Sequence, residues 1–267
     1  VTMLSGAIKR VSVSVLMAVV LAGCVTTTDS RFAREADKEK ALSSYVQLAT
    51  AYVGQGNIDR ARIHLDRALE LDAENSGALS VMGLVYQSEG EFDLAEASFQ
   101  RALASNPNYT RGRVFYGAFL FSQQRYSDAS TQFRRATLDT GYPERASVFF
   151  NLGLTEERLN NVDAAAVAYR RSVELSRGHA NSLLALSRML IEQGNYDQAA
   201  GYYNRLTTAM RRNPEMRHSP QSLLAGIRIA RFFSDHDRES SLALLLKNEY
   251  PDSAEYQQYK VLSSDVE

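Results

Sequence analysis

The sequence predicts an all-α fold, a superhelix (α-solenoid) of about six stacked helix-turn-helix units. Three observations predict it. Small residues recur at one phase, Ala49, Gly83, Gly117, Gly153 and Ser187, in steps of 34, 34, 36 and 34 residues. A second small series, Ala61, Ala95, Ala129, Ala165 and Ala199, follows each member of the first by 12 residues. A third series of ring or branched residues, Leu65, Phe99, Phe133, Tyr169 and Tyr203, follows by 4 more. A fixed period of this length marks a repeat architecture whose units bury their apolar faces on one another.

In chain order, the first element is a leader. Lys9 and Arg10 precede an apolar run, Val11 to Val20, broken only by Ser12 and Ser14, and Leu21-Ala22-Gly23-Cys24 follows. A charged region, a short apolar core and a small-residue cleavage site form the layout of a secretory signal peptide. The competing reading is an ordinary cysteine beside a membrane helix, but the run falls short of the roughly 20 apolar residues that a span requires. Cys24 is the only cysteine in the chain, so it forms neither an internal disulfide nor a multi-cysteine zinc site. The arrangement resembles a bacterial lipobox, in which the cysteine thiol is acylated and becomes the first mature residue. Val25, not Asp, comes next; by resemblance to Gram-negative sorting this implies the periplasmic face of the outer membrane. Residues 1–23 are therefore read as signal peptide and 24–41 as lipidated N-terminus and polar tether.

Residues 42–213 divide into five units, Leu42–Asn75, Ser76–Tyr109, Thr110–Pro143, Ala146–His179 and Ala180–Asn213. Two helices approach closely only where one offers a small residue and the other a bulky one, so Gly83 admits the second helix while Phe99 fills the space opposite. Gly56, Gly90 and Gly194 mark the turn inside the hairpin, with Gln124 and Asn160 in the same slot. Thr140–Arg145, containing Gly141 and Pro143, predicts a longer turn between units three and four; Arg211–Pro220 predicts a longer basic loop. Residues 214–267 hold a degenerate sixth unit and a closing helix with Tyr256 and Tyr259, which would cap the stack. The 34-residue period with its large-small-ring pattern resembles the tetratricopeptide repeat.

Thirty basic and 31 acidic residues nearly cancel, which argues against a nucleic-acid-binding face. No catalytic constellation, cofactor site or metal-ligand spacing is legible. His64, His179, His218 and His236 lie far apart and read as surface or loop residues. Glu156-Glu157 and Asp235 with Asp237 read as solvated acidic pairs. Arg134-Arg135, Arg170-Arg171 and Arg211-Arg212 read as solvated helix tips, with an anionic partner as the sharper alternative. The expected function is protein binding on an inner face lined by first helices. Positions off the hairpin core nominate Val46, Thr50 and Val53 in unit one, Leu84 and Gln87 in unit two, Val114, Ala118 and Phe121 in unit three, and Phe150 and Leu154 in unit four. Many are apolar, so the groove suits a peptide with apolar anchors; the competing reading is that they pack on the neighbouring repeat.

Further stretches outside the repeat pattern carry a narrower resemblance: Tyr142-Pro143-Glu144-Arg145 leading to Asn151-Leu152-Gly153-Leu154, Ser222-Leu223-Leu224-Ala225-Gly226-Ile227-Arg228-Ile229-Ala230, and Tyr250-Pro251 with Ser253 and Glu255-Tyr256. With the lipobox and repeats, the chain resembles the PilF/PilW family of type IV pilus biogenesis lipoproteins over nearly its whole length. The resemblance implies an outer-membrane pilotin that binds the pilus secretin and aids its localisation and multimerisation, with no small-molecule substrate. The stretch Arg211–His218 departs from the family by being longer and more basic. The runner-up function is a lipoprotein adaptor that recruits peptidoglycan enzymes, because fold alone does not fix function.

Overall fold

A computed structural model of the chain describes residues 31–264, apart from positions 177 and 214. The leader and Cys24 lie outside the described residues. Among those described there are thirteen helices and no helix long and apolar enough to cross a membrane. First helices of the hairpins are α1 (Arg31–Gly54), α3 (Ser76–Glu89), α5 (Thr110–Ser122), α7 (Arg145–Arg158), α9 (Ala180–Glu192) and α11 (Pro220–Phe232). Their partners are α2 (Ile58–Leu71), α4 (Phe92–Ser105), α6 (Tyr126–Ala136), α8 (Val162–Ser176), α10 (Tyr196–Arg212) and α12 (His236–Glu249), and α13 (Ala254–Ser264) follows. The chain is a tetratricopeptide-type superhelix.

Local chemistry sets the boundaries. Gly56, Gly90, Gln124, Asn160, Gly194 and Ser234 all have positive φ, between 58° and 82°. A left-handed residue at this point reverses the chain within a few residues, and glycine adopts it without a Cβ clash. Four starts carry a side-chain cap of this kind: Asn57, Asn75, Asn195 and Asp235 each accept the backbone N–H three residues on. Ser219 caps α11, with Pro220 at the first position, where its missing N–H costs nothing.

Packing follows the sequence series. A Cβ on Gly83 would stand 2.7 Å from the Phe99 ring, and one on Gly117 2.8 Å from the Phe133 ring. Phe99 and Tyr169 are fully buried. In unit five the small position is Ser187, whose hydroxyl donates to the Ala199 carbonyl at 3.1 Å. Second helices stack on the following hairpin, and first helices on the next first helix except between α7 and α9, so all substantial contacts are local along the chain. At the lengthened turn between units three and four, α7 leans on α6 rather than α5.

That junction corrects one sequence reading. Glu156 is not solvated but 1% exposed. Its carboxylate accepts from Ser130 Oγ at 2.6 Å, Arg134 Nη2 at 2.6 Å and Asn161 Nδ2 at 2.8 Å. Arg134 therefore holds a buried partner and is not a free helix tip. His64 is also no surface residue: it is half-buried, stacked on Tyr52 at 5.4 Å and 4°, with Nδ1 buried and unpaired. The helix α1 begins at Arg31, well before Leu42, so part of the tether segment is helical.

Candidate functional site

Every nominated residue stands on a first helix, and all but Ala118 are half-buried at the border between core and solvent. Val46 and Val53 of α1 are half-buried against the core shared by α1, α2 and α3. Thr50, between them, donates its hydroxyl to the Val46 carbonyl at 2.7 Å, which satisfies the polar atom locally and leaves the methyl as the group to present. Leu84, Val114 and Phe121 are half-buried against the next cluster, Phe121 standing edge-on to Tyr126 at 5.2 Å. Ala118 is exposed. Gln87 is half-buried and reaches Ser122 Oγ at the limit of hydrogen bonding, 3.5 Å. Phe150 and Leu154 are half-buried against a third cluster, with Phe150 tilted on Tyr169 at 5.8 Å and on His179 at 5.1 Å. Burial holds the His179 imidazole below its ordinary pKa, so near neutrality this ring meets Phe150 uncharged.

The nominated residues thus form a strip along successive first helices, not one pocket. Among them only Val46 lines a large recess, of about 650 Å³, beside the N-terminal half of α1. Its walls come from Leu42, Ser43 and Gln47 with the early residues Glu35, Lys38 and Glu39 of α1, from Asp72, Glu74 and Asn75 leading into Gly77 of α3, and from Ser105 at the end of α4 with Tyr109 and Arg111 around the start of α5. The extension of α1 beyond its hairpin supplies one whole wall. Burial pushes the Tyr109 phenol up in pKa, with the Arg111 guanidinium opposing the shift.

Sequence reasoning missed the other end. Arg188, Ile191 and Glu192 of α9, Gln221, Leu224 and Arg228 of α11, and Glu255 of α13 line a recess of about 420 Å³. There Arg228 pairs with Glu192, and Gln221 donates to Glu255 at 2.8 Å. The phase that nominates Thr50, Leu84, Ala118 and Leu154, one residue past each small position, reaches Arg188 in unit five. Carrying it one unit further would have found this end. At this phase the residue therefore changes from apolar Leu154 in unit four to charged Arg188 in unit five. No group of three or more His, Cys, Asp or Glu able to hold a metal occurs among the described residues.

Comparison with known proteins places this architecture. The sequence pattern of the tetratricopeptide repeat family matches over residues 46–110, 80–146, 117–180 and 150–215. The type IV pilus assembly protein PilF of Pseudomonas aeruginosa is 34% identical over 252 residues, which are 94% of this chain and 98% of that protein. A solved structure of Pseudomonas aeruginosa PilF superposes with a TM-score of 0.78 at 34% identity, covering 84% of this chain and 99% of that one. PilW, a widely conserved type IV pilus biogenesis factor, gives 0.67 at 23% identity, covering 82% of this chain and 97% of its own; that likeness shows the fold.

Proposed function

Because the chain belongs to the PilF/PilW family of type IV pilus assembly proteins, we propose that it is an outer-membrane lipoprotein that binds subunits of the pilus secretin and promotes their outer-membrane localisation and multimerisation. Lipid on Cys24 supplies the address. One acyl chain anchors weakly, whereas two or more anchor stably, and a bacterial lipoprotein cysteine carries three by the lipobox resemblance. The inner face supplies the grip. The observation that carries this reading is the strip of half-buried apolar side chains running from Val46 through Leu84, Val114 and Phe121 to Leu154. Side chains held half in a core are fixed in place yet still offer surface, and a secretin segment with apolar residues at matching spacing would bury them. Tethering cargo to a lipidated carrier then raises its effective concentration at the membrane. Binding, orientation and delivery involve no bond-making step and no cofactor.

Val46→Asp combined with Val53→Asp tests the grip. Secretin capture should fall at least tenfold while far-ultraviolet circular dichroism keeps its helical signature. Photocrosslinking from Leu84 and Ala118 in living cells then identifies the bound segment. A secretin peptide supports the reading; a peptidoglycan enzyme in its place would transfer the protein to the adaptor class.

A further inference from the structure

Short turns reverse the chain at every step, so the loops between units gather along one edge of the superhelix. They touch there: Ser105 Oγ donates to the Glu74 carbonyl at 2.6 Å, Thr110 Oγ1 to Asp139 at 2.6 Å, and the Tyr250 hydroxyl to the His218 carbonyl at 2.6 Å. The start of α1, toward which Cys24 lies in sequence, belongs to that same edge. The ends of the second helices belong to it too, and the last of α10 is strongly basic. From Gln198 to Arg212 this helix has Arg205, Arg211 and Arg212 and no carboxylate.

Two depressions flank α10 toward its C-terminal end. Arg205 and Arg212, two turns apart, line one of about 320 Å³ with Leu183 and Ala209. Arg211 lines the other, of about 600 Å³, with Met210, His218 and Arg238 of α12. Among the described residues no carboxylate lines either one. None of these four arginines makes an ion pair among the described residues, and the contacts of Arg205, Arg211 and Arg238 are to neutral groups. Arg211 donates to Thr208 Oγ1 at 3.1 Å, and Arg238 lies 5.5 Å from the Tyr203 ring centre. Compensation of the helix dipole explains cations in the last turn of α10. It does not explain Arg205, farther back, nor Arg238, which sits in the first turn of α12, where a cation is disfavoured.

We propose that this arginine patch rests on anionic phospholipid headgroups, so that the protein meets its membrane at two places, the acyl group and the outer face of unit five. The inference rests on the reading of Cys24 as the lipid anchor. The shape favours a bilayer over an acidic peptide: the charges lie on both flanks of one ridge, a flat surface reaches both, and an extended peptide fills only one. Each arginine brought close to an anionic surface strengthens binding about fivefold, an attraction that fades within a screening length.

The test uses the full lipidated chain. With the Cys24 thiol acylated, Gly201→Cys gives a single reactive thiol on the same stripe of α10 as Arg205, at a site with open space around it. An environment-sensitive dye there is read on vesicles of phosphatidylcholine alone and on vesicles that also contain phosphatidylglycerol. The expected result is a blue shift and protection from an aqueous quencher only on the anionic vesicles. Both should vanish in about 0.5 M salt and in the Arg205→Gln, Arg211→Gln, Arg212→Gln variant, while every form still floats with vesicles. Identical emission on both vesicles, with the chain floating, overturns the patch and leaves the anchor standing. A shift produced only by added polyglutamate also overturns it, in favour of an acidic protein partner. A chain that floats with neither vesicle overturns the anchor and the patch together.

Discussion

Glu156→Ala would remove a carboxylate shared by Ser130, Arg134 and Asn161 at the one junction where the repeat length departs from 34. Hydrogen bonds to a charged group contribute about 1.5–3 kcal/mol, and a loss of that size is expected in urea unfolding at neutral pH. Burial disfavours the charge, but the three donors outweigh it and hold the Glu156 carboxyl below its ordinary range. A folded-state pKa below the unfolded one means the stabilisation is present at neutrality and lost as pH falls through that lowered value. The gap between wild type and Glu156→Ala should therefore close in acid. This residue was illegible in the sequence because its partners Ser130 and Arg134 lie 26 and 22 residues away in another unit. Gly83, by contrast, was legible from its phase. Gly83→Leu should cost about 1–3 kcal/mol by overpacking, read as a lowered urea midpoint, because even a Cβ would stand 2.7 Å from the buried Phe99 ring. Phe99→Ala in the same chain should recover part of the loss.

At the scale of elements, the turn slot inside each hairpin gives the clearest expectation. Gln124 holds φ at 59° where three other hairpins use glycine. A non-glycine residue there costs about 1–2 kcal/mol, and glycine's extra unfolded-state freedom returns about 0.5–1 of it. Gln124→Gly should thus stabilise the chain by about 0.5–1 kcal/mol, visible as a raised thermal midpoint. The slot was readable from sequence because turn chemistry is local. The reach of α1 was not. Residues 31–41 carry no apolar period, and only the structure shows the helix running through them to wall the N-terminal recess.

At the scale of the molecule, the repeat period disclosed the fold class because register, once set by three residue series, propagates along the stack. The inner face was legible where its residues are apolar and illegible where they are not. The reading for apolar anchors stopped at Leu154, whereas the charged end at Arg188 and Arg228 needed the assembled helices to be seen. Ending the chain after Ser219 should expose Leu206 and Tyr203, which the sixth unit covers, and reduce solubility; a soluble truncation of equal stability would remove the capping role from α11 to α13.

Every substantial helix contact joins elements one or two places apart along the chain, and α13 has no fully buried residue. Among the described residues nothing distant therefore locks the first hairpin to the last. On warming, the carboxy-terminal helix should melt out first and the rest should come apart piecewise, as in a zipper. The main thermal midpoint then belongs to the pinned middle, where Gln124 lies, and the frayed tail has a lower one of its own.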